Sequence, residues 1–282
     1  RAALAFITVG VCLKLALFPL HLWLPNAYAY APSAVTALLA ATATKVAVYV
    51  LLRFYFTVFG IDYVFGELPV AWLLLALALA GILSPSVVAI FQGDAKRLLA
   101  YSSVAQIGYM ILGVSYASMT GLTAALLHLF NHALMKGALF LALGCVAYRL
   151  GSTSIASMEG LGRRMPWTMA AFVVGGLSLI GVPLTVGFVS KWYLVLGAIE
   201  KGWYPVVAVI VFASLLAAVY IWRVVEAAYF RPAPDGAGRC EAPLSLLVPT
   251  WTLVAANLYF GINGTFTVGL AQRAAQALVG GP

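Results

Sequence analysis

The stretch from Leu126 to Gly144, LLHLFNHALMKGALFLALG, is apolar enough to lie in a bilayer, yet it carries His128, His132 and Lys136. These three are spaced i, i+4, i+8, so on an α-helix they form one slowly rotating stripe. A lysine at the bilayer centre costs about 2.5–3.5 kcal/mol on insertion scales. The stripe is therefore expected to face protein or internal water. An ionisable group at that depth is by default a candidate for moving charge.

The rest of the chain agrees with a membrane setting. Of 282 residues, 64% are hydrophobic and 9% charged, with a mean hydropathy of +1.03, whereas soluble domains run near ~25% charged. Apolar runs of about 20 residues indicate helices, since barrel strands would alternate over about 10. The expected fold is an all-α polytopic membrane protein, residues 1–282 forming a single transmembrane domain. About eight spans are predicted, at 2–20, 33–57, 68–91, 96–117, 121–149, 167–197, 204–229 and 243–271. Two are expected to be interrupted: the first at Pro19, just after Lys14, and the sixth at Pro183, within GGLSLIGVPLTVGF. Proline removes a helix hydrogen bond and its ring clashes with the preceding turn. Such a break is tolerated in a membrane only where the freed backbone faces protein or water. Arg1 is followed at once by an apolar run, with no methionine start and no cleavable leader, so the sequence reads as an excerpt of a longer protein.

Basic residues give an orientation. The loops after spans 1, 3, 5 and 7, with the adjoining span ends, hold Lys96, Arg97, Arg149, Arg163, Arg164, Arg223, Arg231 and Arg239. The opposite side holds Arg1, Arg53, Lys201 and Arg273. The richer side is expected in the cytoplasm, which leaves the C-terminus outside, across a prokaryotic inner membrane. The net charge of +8 is mostly this topology signal. No basic patch stands free of the membrane, so nucleic acid is not an expected partner.

The remaining four cations, Lys14, Lys45, Lys136 and Lys191, fall inside spans, while the carboxylates fall in loops or near span ends. Desolvation and mutual repulsion both penalise the charged form of such a group. A lysine held near neutrality can accept and return a proton; an arginine cannot. Simpler readings exist for each residue: Lys14 and Lys191 snorkelling to an interface, His128 and His132 bonded as neutral rings to neighbouring helices, and Ser102, Ser103, Gln106 and Tyr109 joining helices by hydrogen bonds. Thr42 and Tyr49, about one turn on either side of Lys45, are expected to support it. A haem enzyme is a poor fit, because His128 and His132 point to one side of a helix and a haem needs ligands on opposite faces. A metallohydrolase is equally poor, since the HxxxH lacks a glutamate or a third ligand nearby. The three cysteines have no metal-like spacing, and no cofactor motif is present.

Several segments together carry a family resemblance: KLALFPLHLWLPNAY from Lys14, APSAVTALLA from Ala31, KVAVYVLLR from Lys45, QGDAKRLLAYSSVAQIGY from Gln92, HLFNHALMK from His128 and GLGRRMP from Gly160. In this order they resemble the antiporter-like proton-pumping subunits of respiratory complex I, membrane-bound hydrogenases and Mrp-type sodium/proton antiporters. PLTVGFVSKWY from Pro183 and YIWRVVEAAYF from Tyr220 look most like the D-type subunit of the Mrp antiporter. The resemblance implies a fourteen-helix fold with two inverted five-helix repeats, each with a broken helix, of which this chain matches helices seven to fourteen. It implies that Lys14 is the central lysine on the first broken helix, whose glutamate partner on the family's fifth helix precedes Arg1. Lys45 would be its neighbour, His128, His132 and Lys136 would lie on the hydrophilic axis, and Lys191 would be the terminal residue on the second broken helix. The implied function is proton translocation along a lysine, histidine and water axis, as in that Mrp-type cation/proton antiporter. The alternative is a pumping subunit of an NADH-quinone oxidoreductase or a membrane-bound hydrogenase. Either way the implied partners are other membrane subunits, protons and the lipid bilayer, with sodium as a candidate counter-ion, and no cofactor is expected in this chain.

Overall fold

The computed structural model describes residues 1–234, 236 and 238–280. Among the described residues six helices are long and apolar enough to cross a membrane. They are α3 (Ser33–Leu52, continued by a π-helical turn through Val58), α4 (Val70–Ile90), α5 (Ala95–Ser115), α6 (Met119–Leu150), α10 (Tyr204–Phe230) and α11 (Leu244–Ile262). Two further crossings are built from half-helices: α1 (Ala2–Leu15) followed by α2 (Trp23–Tyr30), and α8 (Pro166–Ile180) followed by α9 (Val186–Glu200). A short α7 (Leu161–Arg164) precedes α8, and α12 (Thr265–Val279) ends the described chain.

Prolines set several starts: α3 follows Pro32, Pro166 opens α8 and Pro205 lies in the first turn of α10. Each occupies a position where its missing N–H would have had no helical partner. Two spans differ from expectation. The first does not stop at residue 20, because the chain re-enters a helix at Trp23 and runs to Tyr30. The eighth is interrupted at Asn263–Gly264 and then continues to Val279. Continuous hydropathy through 243–271 concealed that second change of direction.

α6 is the central helix, packed against α3, α5, α8, α9, α11 and α12. α5 is buried nearly all round. The outer helices instead show Phe6, Leu38, Trp72, Leu215 and Val248 to the surroundings, as a lipid-facing surface should. On the basic side the loops are tied to one another. Asp94 caps α5 through the Arg97 N–H and accepts the Thr153 hydroxyl at 2.6 Å, and the Arg223 guanidinium closes the end of α4 on the carbonyls of Ile90 and Gln92. Glu241 accepts from the Trp167 N–H at 2.8 Å and from the Thr168 hydroxyl at 2.5 Å, placing an acid at the start of α8, where the helix dipole favours it.

The interior is divided into two large apolar clusters, stacked along the helix axes. On α3 the clusters part between Ala40 and Ala47, on α5 between Val104 and Ile107, and on α6 between Leu129 and Leu134. On α9 they part between Val186 and Tyr193, and on α10 between Ala213 and Ala217. Those five gaps hold Lys45, Gln106, His132, Lys191 and Ser214. A polar seam thus crosses the helices at one level.

Candidate functional site

The seam is built from α6 outward. On the helix, His128, His132 and Lys136 point into the interior, each 0% exposed. The two imidazole rings lie parallel, with centroids 6.1 Å apart and an interplanar angle of 6°. His128 Nδ1 shares a hydrogen bond of 2.8 Å with the Ser190 hydroxyl of α9. Its Nε2, and both nitrogens of His132, are buried without a hydrogen-bond partner. Buried polar groups are usually paired, so three free imidazole nitrogens in one place are unusual. Lys136 donates to the Leu99 carbonyl at 2.8 Å and to the Ser102 hydroxyl of α5.

Lys45 joins from α3. It is buried, its amine turns back to the Ala40 carbonyl of its own helix, and that helix packs against α6. Lys191 closes the opposite end. Its amine reaches back across the break in the sixth span to the carbonyls of Leu179 and Ile180, at 3.1 and 2.8 Å, and to the Ser214 hydroxyl at 2.9 Å. Those carbonyls are the orphaned C-terminal acceptors of α8, and the negative end of its dipole faces the amine. The Tyr109 ring lies beneath, 5.0 Å from Nζ.

The break is locally encoded. Gly181 takes the left-handed conformation (φ +93°) that ends α8, a conformation with little penalty only for glycine, and Pro183 follows it. Gly187 has no side chain because α9 turns so tightly against α8 that a Cβ would stand 1.7 Å from the Ser178 carbonyl oxygen. Asn131 of α6 holds the restarted helix by donating to the Val186 carbonyl at 2.7 Å.

Not every expected residue joins the seam. Lys14 lies exposed in the last turn of α1 and has no hydrogen bond to the other lysines. Thr42 and Tyr49 are also exposed, and Thr42 bonds only its own helix at Leu38. On a helical wheel both fall about 40–60° to one side of Lys45, the side that leaves the protein. Thr44 and Val48 fall on the other side and are buried. Spacing alone could not tell one side from the other. Ser102 contacts Lys136, and Gln106 is buried with its Oε1 unpartnered. Ser190, Ser214, Asn131 and Tyr220 belong to the site although nothing in the sequence had singled them out. Ser190 could have been found beside Lys191, but the others carried no local signal.

The buried row of amines and imidazoles lies between two apolar clusters, and among the described residues no aspartate or glutamate is buried beside it. A model described as NADH:quinone oxidoreductase/Mrp antiporter, TM, matches residues 2–217. The chain belongs to this family. It is similar to NADH-quinone oxidoreductase subunit N of Desulforudis audaxviator, 46% identical over 275 residues that cover 92% of this chain and 54% of the relative. Among solved structures it is similar to a chain of the Mrp complex from Dietzia sp. DQ12-45-1b, with a TM-score of 0.92, 27% identity and coverage of 99% and 59%. It is also similar to a chain of the membrane-bound sulfane sulfur reductase, an archaeal respiratory membrane complex, with a TM-score of 0.89, 32% identity and coverage of 98% and 55%. The chain thus spans a little over half the length of these relatives.

Family membership makes this a multi-pass membrane protein of the kind found in respiratory and antiporter complexes. The fold is common to both branches, so sequence identity has to separate them. It favours the NADH-quinone oxidoreductase branch over the Mrp antiporter, which the segments from Pro183 and Tyr220 had suggested.

Proposed function

We propose that this chain is part of a proton-translocating subunit of a redox-driven membrane complex of the NADH-quinone oxidoreductase type. In this reading Lys45, Lys136, His132, His128 and Lys191 carry the proton along the membrane plane. The observation behind it is the polar seam. Five helices interrupt their apolar packing at one level, and among the described residues no aspartate or glutamate is buried there. A purely structural bridge would be expected to pair its cations with acids, because an unpaired buried charge is strongly destabilising. A row of amines without acids is instead suited to passing one proton, each occupied site repelling charge from the next. Neighbours four residues apart on α6 are about 6 Å apart along the axis, so water is required between successive groups.

Lys14 belongs to the proposal as the lysine whose glutamate partner the family resemblance places on the family's fifth helix. Protons enter from the basic, cytoplasmic side and leave outside, where the C-terminus also lies. Each charge moved across the membrane exchanges about 2.3 kcal/mol per 100 mV, supplied by electron transfer in partner subunits.

The test is the complete complex in sealed vesicles, with electron transfer and vesicle acidification followed together. Lys136→Ala is expected to stop acidification, and acidification at the wild-type rate would remove the seam from the path. The second reading, a sodium/proton antiporter, is favoured by the likeness to the Mrp complex. It requires proton movement driven by a sodium gradient with no electron donor, and that measurement separates the two.

A further inference from the structure

The imidazole pair is not the only connection between Lys136 and Lys191. We propose that Ser102, Tyr220, Tyr109 and Ser214 form a second proton route between these two lysines, made of hydroxyls and running beside the histidines. This inference rests on the proton-translocation reading above.

The ends of the route are fixed by bonds. Lys136 donates to the Ser102 hydroxyl, and Lys191 donates to the Ser214 hydroxyl at 2.9 Å. Tyr220 and Tyr109 lie between them. Tyr220 reaches in from α10 nearly two turns beyond Ser214, is 0% exposed, and its hydroxyl, on the side of Ser102, has no hydrogen-bond partner. Tyr109 lies two turns beyond Ser102 on α5. Its hydroxyl makes only a long bond, 3.4 Å, to the Ile210 carbonyl, the acceptor that the Ser214 hydroxyl also uses at 3.1 Å.

Packing does not account for these hydroxyls. A buried tyrosine usually finds a partner for its oxygen, and a phenylalanine would fill the Tyr220 site without leaving an oxygen unpaired. The imidazole line also has a weakness that the hydroxyl line lacks. The His128 and His132 rings are stacked in parallel, and His128 is tied to Ser190, whose hydroxyl also approaches the carbonyls of Val186 and Gly187. Returning such a ring to its starting tautomer requires it to turn or to exchange with solvent, whereas a hydroxyl resets by rotating about one C–O bond. In each transfer the hydroxyl oxygen takes a proton onto a lone pair and releases the one it carried. An N–H bond breaks at the lysine that gives the proton and one forms at the lysine that receives it, only O–H bonds change between them, and no charge remains on the tyrosine.

The experiment uses the complete complex in sealed vesicles, with wild type, Tyr220→Phe, His132→Gln, the double variant and Lys136→Ala, compared only in preparations of equal subunit content. If the routes are parallel, each single variant keeps part of the acidification per electron transferred, and the double variant loses it, down to the Lys136→Ala level. A double variant that acidifies as well as His132→Gln alone would sink the second route. Complete loss in Tyr220→Phe alone would place the hydroxyl in series with the histidines, which also overturns the proposal. Should the double variant not assemble, Tyr109→Phe with His132→Gln gives the same comparison with the same two outcomes. Normal acidification by Lys136→Ala would instead defeat the underlying reading, a different result from any of these.

Discussion

The two broken helices use the same sequence device and reach different ends. In both, a half-helix stops at a left-handed residue, Ala16 (φ 60°) or Gly181 (φ +93°), and a proline follows within three positions. Each has a lysine nearby. At the first break the carbonyl of Leu13 is taken by the Trp23 indole N–H at 2.9 Å, and Lys14 is left exposed. At the second, Lys191 itself takes the carbonyls of Leu179 and Ile180 and is buried. A lysine beside a proline therefore marks a break without fixing what the lysine does there. The side of the break matters: Lys14 sits on the half that ends, whereas Lys191 sits on the half that restarts and can reach back across the gap.

Several substitutions would break or sharpen this contrast. The largest effect is expected from Gly187→Ala, since its Cβ would meet backbone that cannot yield cheaply. A cost of about 3 kcal/mol or more is expected, visible as loss of assembled subunit in detergent extracts, and no position at the first break should be so intolerant. Lys191→Ala comes next. It should stop vesicle acidification in the complete complex and cost about 1–3 kcal/mol by leaving the carbonyls of Leu179 and Ile180 unpaired. In the isolated chain Lys14→Ala should change stability by less than about 0.5 kcal/mol, and equal losses in denaturant unfolding of the two variants would erase the distinction drawn between the breaks.

Gly181→Ala should cost about 1–2 kcal/mol for its left-handed backbone. It should also weaken acidification, because the new methyl would press on the Lys191 side chain, 2.9 Å from Cδ. Trp23→Phe tests the other cap. Loss of the indole bond to Leu13 should cost about 0.5–1.5 kcal/mol in thermal melts, with acidification retained. The smallest effect is expected of Ala16→Gly. Relief of the left-handed strain is partly offset by the greater freedom of glycine in the unfolded chain, leaving a gain of about 0.5–1 kcal/mol. A loss on that substitution would show that the Ala16 methyl is needed for packing.

Much of the molecule was legible before its structure was known. Hydropathy and a charged fraction of only 9% required a helical membrane protein. Pro19 and Pro183 located both broken crossings, and Lys45, His128, His132, Lys136 and Lys191 stood out because each is costly at membrane depth. What could not be read was which way each helix faces. In a soluble protein polar residues mark the outer face, but here lipid and core are both apolar, so the few polar residues of a helix such as α3 do not say which of its faces turns inward. Thr42 and Tyr49 therefore looked like neighbours of Lys45 and instead face outward, while Thr44 was overlooked.

By itself the sequence determined that lysines and histidines would be carried into the membrane, and at what points along the helices. Only the tertiary structure decided that Lys45, His128, His132, Lys136 and Lys191 line one buried seam, that Ser190, Ser102 and Ser214 receive three of them, and that Lys14 is held apart. The cost of burying a charge is local and can be read from a single segment. The partners that offset it come from other helices, chosen by close packing between apolar surfaces that look alike in the sequence.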